Sequence, residues 1–251
     1  MSSFDSIQFK LERAGEHINR LDQLVRTYLR NNPQLISAEF DAQNLVNIYR
    51  YKPPDEVSIE VKLVAGDAIN NLRSSLEYLA WQLVITNGKT PTDGTGFPIF
   101  SKPNSSKFGR MTAGMPAKAC QLIERLQPYN GTERAQDLLS RLHTLWLIEK
   151  HRHLVLTAVV MSTSMSIKFS DVPRVDQSAI SLSELDNGDI ILRVPVPDAT
   201  HEYLEPELLC NIVFHSEGED ERGESGILET LWPIYYLLRN RVFPRFMHFF
   251  K

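Results

Sequence analysis

Between Ile7 and Tyr28 the apolar residues Ile7, Leu11, Ala14, Ile18, Leu21, Val25 and Tyr28 recur at gaps of four and three. Glu12, Arg13, Glu16, Arg20 and Gln23 fall elsewhere on the wheel. That spacing predicts a long amphipathic helix over 4–31, ended before Pro33. Its seam suits packing on another long helix or self-association, although it is short for a coiled coil. "LISAEF" and "NLVNIYRYK", separated by "DAQN", are rich in β-branched and aromatic residues and predict a hairpin. A second long helix is expected over 55–87, with Pro54 suited to its first turn and Asn87-Gly88 to its stop. Ile59, Leu63, Ile69, Leu72, Leu76, Leu79 and Leu83 would form its apolar face.

Residues 89–106 are dense in Pro, Gly, Thr, Ser and Asn around "FPIF", the pattern of a surface loop with an anchored middle. Pro116 then opens a short helix to Leu126, with Leu122, Ile123 and Leu126 inward. Thr132 can cap a third long helix, 132–153, with Leu138, Leu142, Leu145 and Ile148 facing a core. From Leu154 the period falls to two. "LVLTAVVM", "SIKFS", "SAISLSEL", "DIILRV" and "LLCNIVFHS" predict an antiparallel meander over 154–216, and Asp186-Asn187-Gly188 is the strongest hairpin signal. "EGEDERGES" is a solvated charged loop, and the last 25 residues are helical by period with bends expected at Pro233 and Pro244. The fold class is α+β: a bundle of long helices (1–153 plus 225–251) packed with an antiparallel sheet of about five to seven strands, in one domain spanning 1–251.

Composition narrows the function classes. A chain of 251 residues, 42% hydrophobic, can bury a full core. A net charge of −4 supplies no global basic field, so any contact with nucleic acid would use a local patch. The start lacks a secretory pattern and no apolar run is long enough to span a membrane, so a cytoplasmic protein is expected. Cys120 and Cys210 match no metal or redox spacing, no metal site or cofactor is expected, and no dinucleotide fingerprint, phosphate loop or nucleophile elbow is present.

Two polar groupings carry candidate chemistry. On the second helix Asp67, Asn70, Asn71, Ser74 and Glu77 recur at threes and fours with Arg73 beside them. In the middle of a bundle some of these groups must be paired internally or line a cleft; the alternative is a solvated face. The second grouping is Lys150, His151, Arg152 and His153, where the third helix ends. It is either a cationic site or a last turn that complements the helix dipole. Arg73, His151 and Arg152 are the candidate catalytic residues, and Asp67, Asn70, Asn71, Glu77 and Lys150 the candidate binding residues. The aromatic C-terminus is read as a core-closing helix, with a dimer interface or base stacking as alternatives.

"GDAINNLRSSLEYLAWQLV", "FPIF", "LIERLQPYNG" and "LLSRLHTLWLIEKHRHL", in that order, resemble a group of uncharacterised bacterial proteins with "GD..HNLRSALDHLAW" and "L..L..IDKHR.L" helices. The resemblance covers roughly residues 5 to 156. Asn70 and Tyr78 stand where that pattern has histidines, and Glu149 where it has aspartate. These helices look distantly like HEPN domains, whose active members are metal-independent ribonucleases using an arginine and a histidine with four to six residues between them. The resemblance therefore implies an RNA-directed protein, active or decayed, in stress response or phage defence. Such a site works by acid–base chemistry on the 2′-hydroxyl, with arginine stabilising phosphorane charge. Arg241 and His248 are the one pair with that spacing, and Pro244 interrupts them. Expected partners are RNA or another anionic ligand, and a second copy of the chain through its N-terminal or C-terminal helix. The alternative function is a non-enzymatic scaffold or ligand-binding protein with a buried polar network.

Overall fold

A computed structural model describes residues 5–32, 35–131, 134–151, 156–164, 186–195, 207–214 and 226–250. It is α+β, and its contacts group into two compact units, one of Met1–Leu24, Ser58–Val155 and Phe214–Lys251, the other of Val25–Val57 and Leu156–Val213.

The first unit is helical. It holds most of α1 (Asp5–Asn31), whose residues Ile7, Leu11, Ala14, Ile18 and Leu21 are all buried as their spacing predicts. Helix α2 runs from Ile59 to Thr86, four residues later than the expected start. Ser58 rather than Pro54 sets the boundary, its hydroxyl accepting from the Val61 amide. The face that α2 buries centres on Ile69, Leu72, Leu76, Leu79 and Leu83, whereas Ile59 and Leu63 point outward, 67% and 61% exposed. Short helices α3 (Ser105–Met111) and α4 (Ala117–Arg125) follow; α4 buries Ile123, and Leu126 is buried just beyond its end. Helix α5 (Arg134–His151) packs against α2 and the C-terminal helix and buries Leu139, Leu142 and Leu145, while Leu138 and Ile148 are only half-buried. The cap expected at Thr132 lies outside the described residues.

Helix α6 (Ile227–Leu237) closes the unit with Ile227, Leu231 and Ile234 inward. Pro233 lies inside it, and the regular α-helix gives way at Leu238 to a π-helical turn, Leu238–Val242, in which the Phe243 amide donates to the Leu238 carbonyl five residues back. Two 3₁₀ turns, Phe243–Arg245 and Met247–Phe250, end the described chain, with Pro244 in the first. Phe243 and Phe246 are buried there, so this part of the aromatic stripe is core.

The second unit holds the end of α1 and five described strands: β1 (Ile36–Asp41), β2 (Val46–Tyr51), β3 (Leu156–Ser164), β4 (Ile190–Pro195) and β5 (Glu207–Phe214). The expected early hairpin is present, β1 pairing antiparallel with β2 from Ile36↔Tyr51 to Asp41↔Val46. Beyond it the strand order departs from a meander. Strand β4 adds antiparallel to β2, giving β1-β2-β4, and β3 pairs with β5 in a separate two-stranded sheet. The Asn187-Gly188 turn forms with Gly188 at φ 93° and docks on Tyr51 through two backbone hydrogen bonds. The expected strands "SIKFS" and "SAISLSEL" lie outside the described residues. Asp55 follows β2 and is tied to the end of α1: its amide donates to Asn32 Oδ1 (2.8 Å) and its carbonyl accepts from the Tyr28 hydroxyl.

Among the described residues no helix is long and apolar enough to cross a membrane.

Candidate functional site

The loop carrying "FPIF" has Phe97, Pro98 and Ile99 buried outside any strand or helix. Buried backbone groups without a ladder must find side-chain partners. Two clamps supply them. The first comes from α2, where Arg73 and Glu77 lie one turn apart: Arg73 Nη2 donates to the Phe97 carbonyl (2.8 Å) and Glu77 Oε2 accepts from the Phe97 amide (3.1 Å). The two side chains also pair with each other, Nη2 to Oε1, at 2.5 Å. The second clamp is Gln127, fully buried just after α4. Its Nε2 donates to the Pro98 and Ile123 carbonyls (2.7 and 3.1 Å), and its Oε1 accepts from the Phe100 amide (3.0 Å). Gly96 is what lets Glu77 close in, because a Cβ there would stand 2.7 Å from Glu77 Oε2.

Arg73 is only 3% exposed, and its Nε and Nη1 are buried without a hydrogen-bond partner. Burial pulls its pKa down and the Glu77 carboxylate pushes back; a guanidinium remains a cation even so. Its central carbon lies 5.2 Å from the centre of the Trp146 ring on α5. Lys150 Nζ, one turn further along α5, lies 5.0 Å from the same ring. His143 stacks on Trp146 from the preceding turn, with centroids 5.9 Å apart and planes at 26°. Partial burial, reinforced by Arg73 and then Lys107, lowers the His143 pKa to about 4, and its Nδ1 is buried without a hydrogen-bond partner. Lys107 on α3 rests 5.3 Å from the centre of the Phe100 ring. Lys107 and Lys150 are both exposed.

The structure thus joins two expected site residues, Arg73 and Lys150, on a ring the sequence reading did not assign, with a third, Glu77, paired to Arg73. Asp67 is exposed, and its carbonyl accepts from the Asn71 side chain (2.8 Å), a local helical bond rather than a site contact. Asn70 is half-buried. His151 ends α5, but its side chain, like Arg152 and His153, lies outside the described residues. His143, Trp146, Lys107 and the Phe97 backbone are new. The 143–146–150 spacing of three and four on one helix was the available signal. Arg241 and His248 stand on either side of the turn at Pro244 rather than on one helical face, and His248 packs on Phe249 with centroids 3.9 Å apart.

A buried cation with unused donors, a neutral imidazole and two outer lysines, each against an aromatic face, can hold an anionic group and stack a planar one. Acid–base catalysis is a poorer fit, because a base with a pKa near 4 has little driving force to take a proton at neutral pH. Among the described residues no three or more His, Cys, Asp or Glu side chains stand where they could share a metal ion. No family model, curated protein or solved structure matches the chain.

Proposed function

We propose that the protein is an RNA-directed binding protein, HEPN-like in kind but without nuclease activity, and that the surface around Arg73, His143, Trp146 and Lys150 takes up a nucleotide unit. The observation that carries this reading is that the Phe97 clamp leaves two donor nitrogens of a buried guanidinium unused. A phosphate oxygen is the usual partner for such donors, which are closed to solvent here and would be reached when the Phe97 contact opens. The outer lysines supply charge against the chain's overall −4, and the rings supply stacking surface. The resemblance to HEPN-like domains adds stress response or phage defence as the setting. The test is fluorescence anisotropy of a labelled single-stranded RNA at low salt. Binding without cleavage is expected, with the Lys107→Glu/Lys150→Glu double variant folding normally and losing about tenfold or more in affinity. Absence of binding by the wild-type chain, or full affinity in the double variant, would sink the reading.

The Phe97 clamp itself favours a second reading, a non-enzymatic scaffold whose polar network only anchors a loop. On that reading the Arg73→Met variant loses stability, and the wild-type chain shows no RNA affinity for the lysine variant to reduce.

A further inference from the structure

Helix α2 is apolar on two sides. Its inner side is spent on the core, whereas its outer side leaves Ile59, Leu63, Tyr78, Trp81 and Ile85 between 41% and 67% exposed. They are five of the ten large apolar residues exposed among the described residues, and all five lie on this one helix. Large apolar side chains scattered singly over a surface are ordinary, but a row of them marks a place where something docks. The neighbouring α1 shows the usual alternative, with Glu12, Arg13, Glu16 and Arg20 on its exposed side.

Between Leu63 and Tyr78 the same stripe carries Asp67, Asn70 and Ser74, so every step along it is three or four residues. At about 100° per residue the whole row stays within about 60° of one line along the helix. It also reads nearly alike from both ends, apolar at each and polar in the middle. Laid antiparallel on a second copy and centred at the level of Leu72, the row sets Ile59 against Ile85, Leu63 against Trp81 and Asp67 against Tyr78. A two-fold interface demands this self-complementarity, because if residue i meets j of the partner, j must meet i. Steps of three and four also suit helices crossing at about 20°. With roughly 200 Å² for a whole residue of this size, the five expose about 500 Å² per copy and two copies about 1,000 Å², where specific interfaces begin.

Charge agrees with that register. Lys10 on α1 rests on Tyr78, its Nζ 5.7 Å from the ring centre. A pairing that brings Asp67 of one copy to Tyr78 of the other therefore brings it to Lys10 as well. Within one chain the two charges stand apart, since Tyr78 lies about 16 Å along α2 from Asp67. Neither Lys10 nor Asp67 has an ion-pair partner among the described residues. We propose that the outer face of α2 is a homodimer interface, packed antiparallel on the same face of a second copy, with Asp67 of each copy paired to Lys10 of the other. The RNA-directed reading is independent of it, because Arg73 falls about 100° round the helix from Ser74 and its neighbours Trp146 and Lys150 are on α5.

The test is sedimentation velocity of the full chain, without RNA, over about a hundredfold range of concentration. A dimer that dissociates on dilution is expected. The Leu63→Glu/Trp81→Glu double variant, changed only at exposed positions, should keep the wild-type circular dichroism spectrum, with its dimer Kd raised about a hundredfold or more. Charge reversal reads the register. Lys10→Glu and Asp67→Lys should each weaken the dimer about tenfold, since each acts twice across the two-fold axis, and the two together should restore it. Restoration has no source inside one chain, where these side chains do not meet. A wild-type chain that is monomeric at every concentration overturns the proposal and leaves the face to a different partner. A dimer that survives Leu63→Glu/Trp81→Glu, or charge reversals whose effects add instead of cancelling, overturns it as well.

Discussion

Two side-chain clamps hold the same four-residue loop, and they are built on opposite principles. Gln127 is neutral, fully buried and used up: its amide nitrogen and its oxygen are both engaged. Arg73 with Glu77 is charged, and the arginine brings five donors of which the loop engages one nitrogen. If anchoring "FPIF" were the whole task, a second neutral amide would do it without the desolvation cost of a buried cation. The surplus on the Arg73 side, absent on the Gln127 side, is what separates a structural clamp from a candidate site.

The comparison can be broken at its charged end first. Arg73→Met removes the ion pair and the Phe97 bond and strands Glu77, so urea denaturation should show a loss of about 3 kcal/mol, at the low end for a buried pair because Glu77 is partly exposed. RNA affinity should fall with it. Gln127→Ala leaves the Phe100 amide and the Pro98 carbonyl unsatisfied and should cost about 2 kcal/mol in the same assay. RNA affinity measured on the folded fraction should not change; an equal loss in both variants would erase the distinction between the clamps.

The smallest effect concerns His143. Its pKa is lower in the folded chain, about 4 against an ordinary 6.5. Between those values the unfolded chain binds more protons, so stability is full above about pH 6.5, falls as the pH drops towards 4, and levels off below it. With its ring partly exposed, the loss is on the order of 1 kcal/mol after solvent screening. His143→Gln should remove that part of the slope from a pH series of thermal melts, and a slope unchanged by the substitution would show that folding does not depress the His143 pKa.

The helices were legible because burial in a bundle imprints a 3.6-residue period, as in Ile7 through Leu21. The start of α2 was misplaced because Pro54 also suits an extended segment, and here Asp55 is held by Asn32 and Tyr28, contacts more than twenty residues away. Strand order was hidden for the same reason: β2 pairs with β4 across about 140 residues of sequence, which alternation cannot register. At the site, Arg73, Glu77 and Lys150 stood out as charges on core helices. The Phe97 clamp did not, since it joins a side chain to a backbone group in a loop. Trp146 carries no polar signal of its own, and its place in the site depends on Arg73 reaching it from another helix.

The loop has a kinetic consequence as well. The amides of Phe97 and Phe100 are held by Glu77 and Gln127 rather than by a backbone ladder. Their hydrogen–deuterium exchange therefore tracks the opening of two side chains, and each amide acts as a built-in clock for its own clamp. An anion drawing Arg73 away from Phe97 would speed the first clock and leave the second at its resting rate.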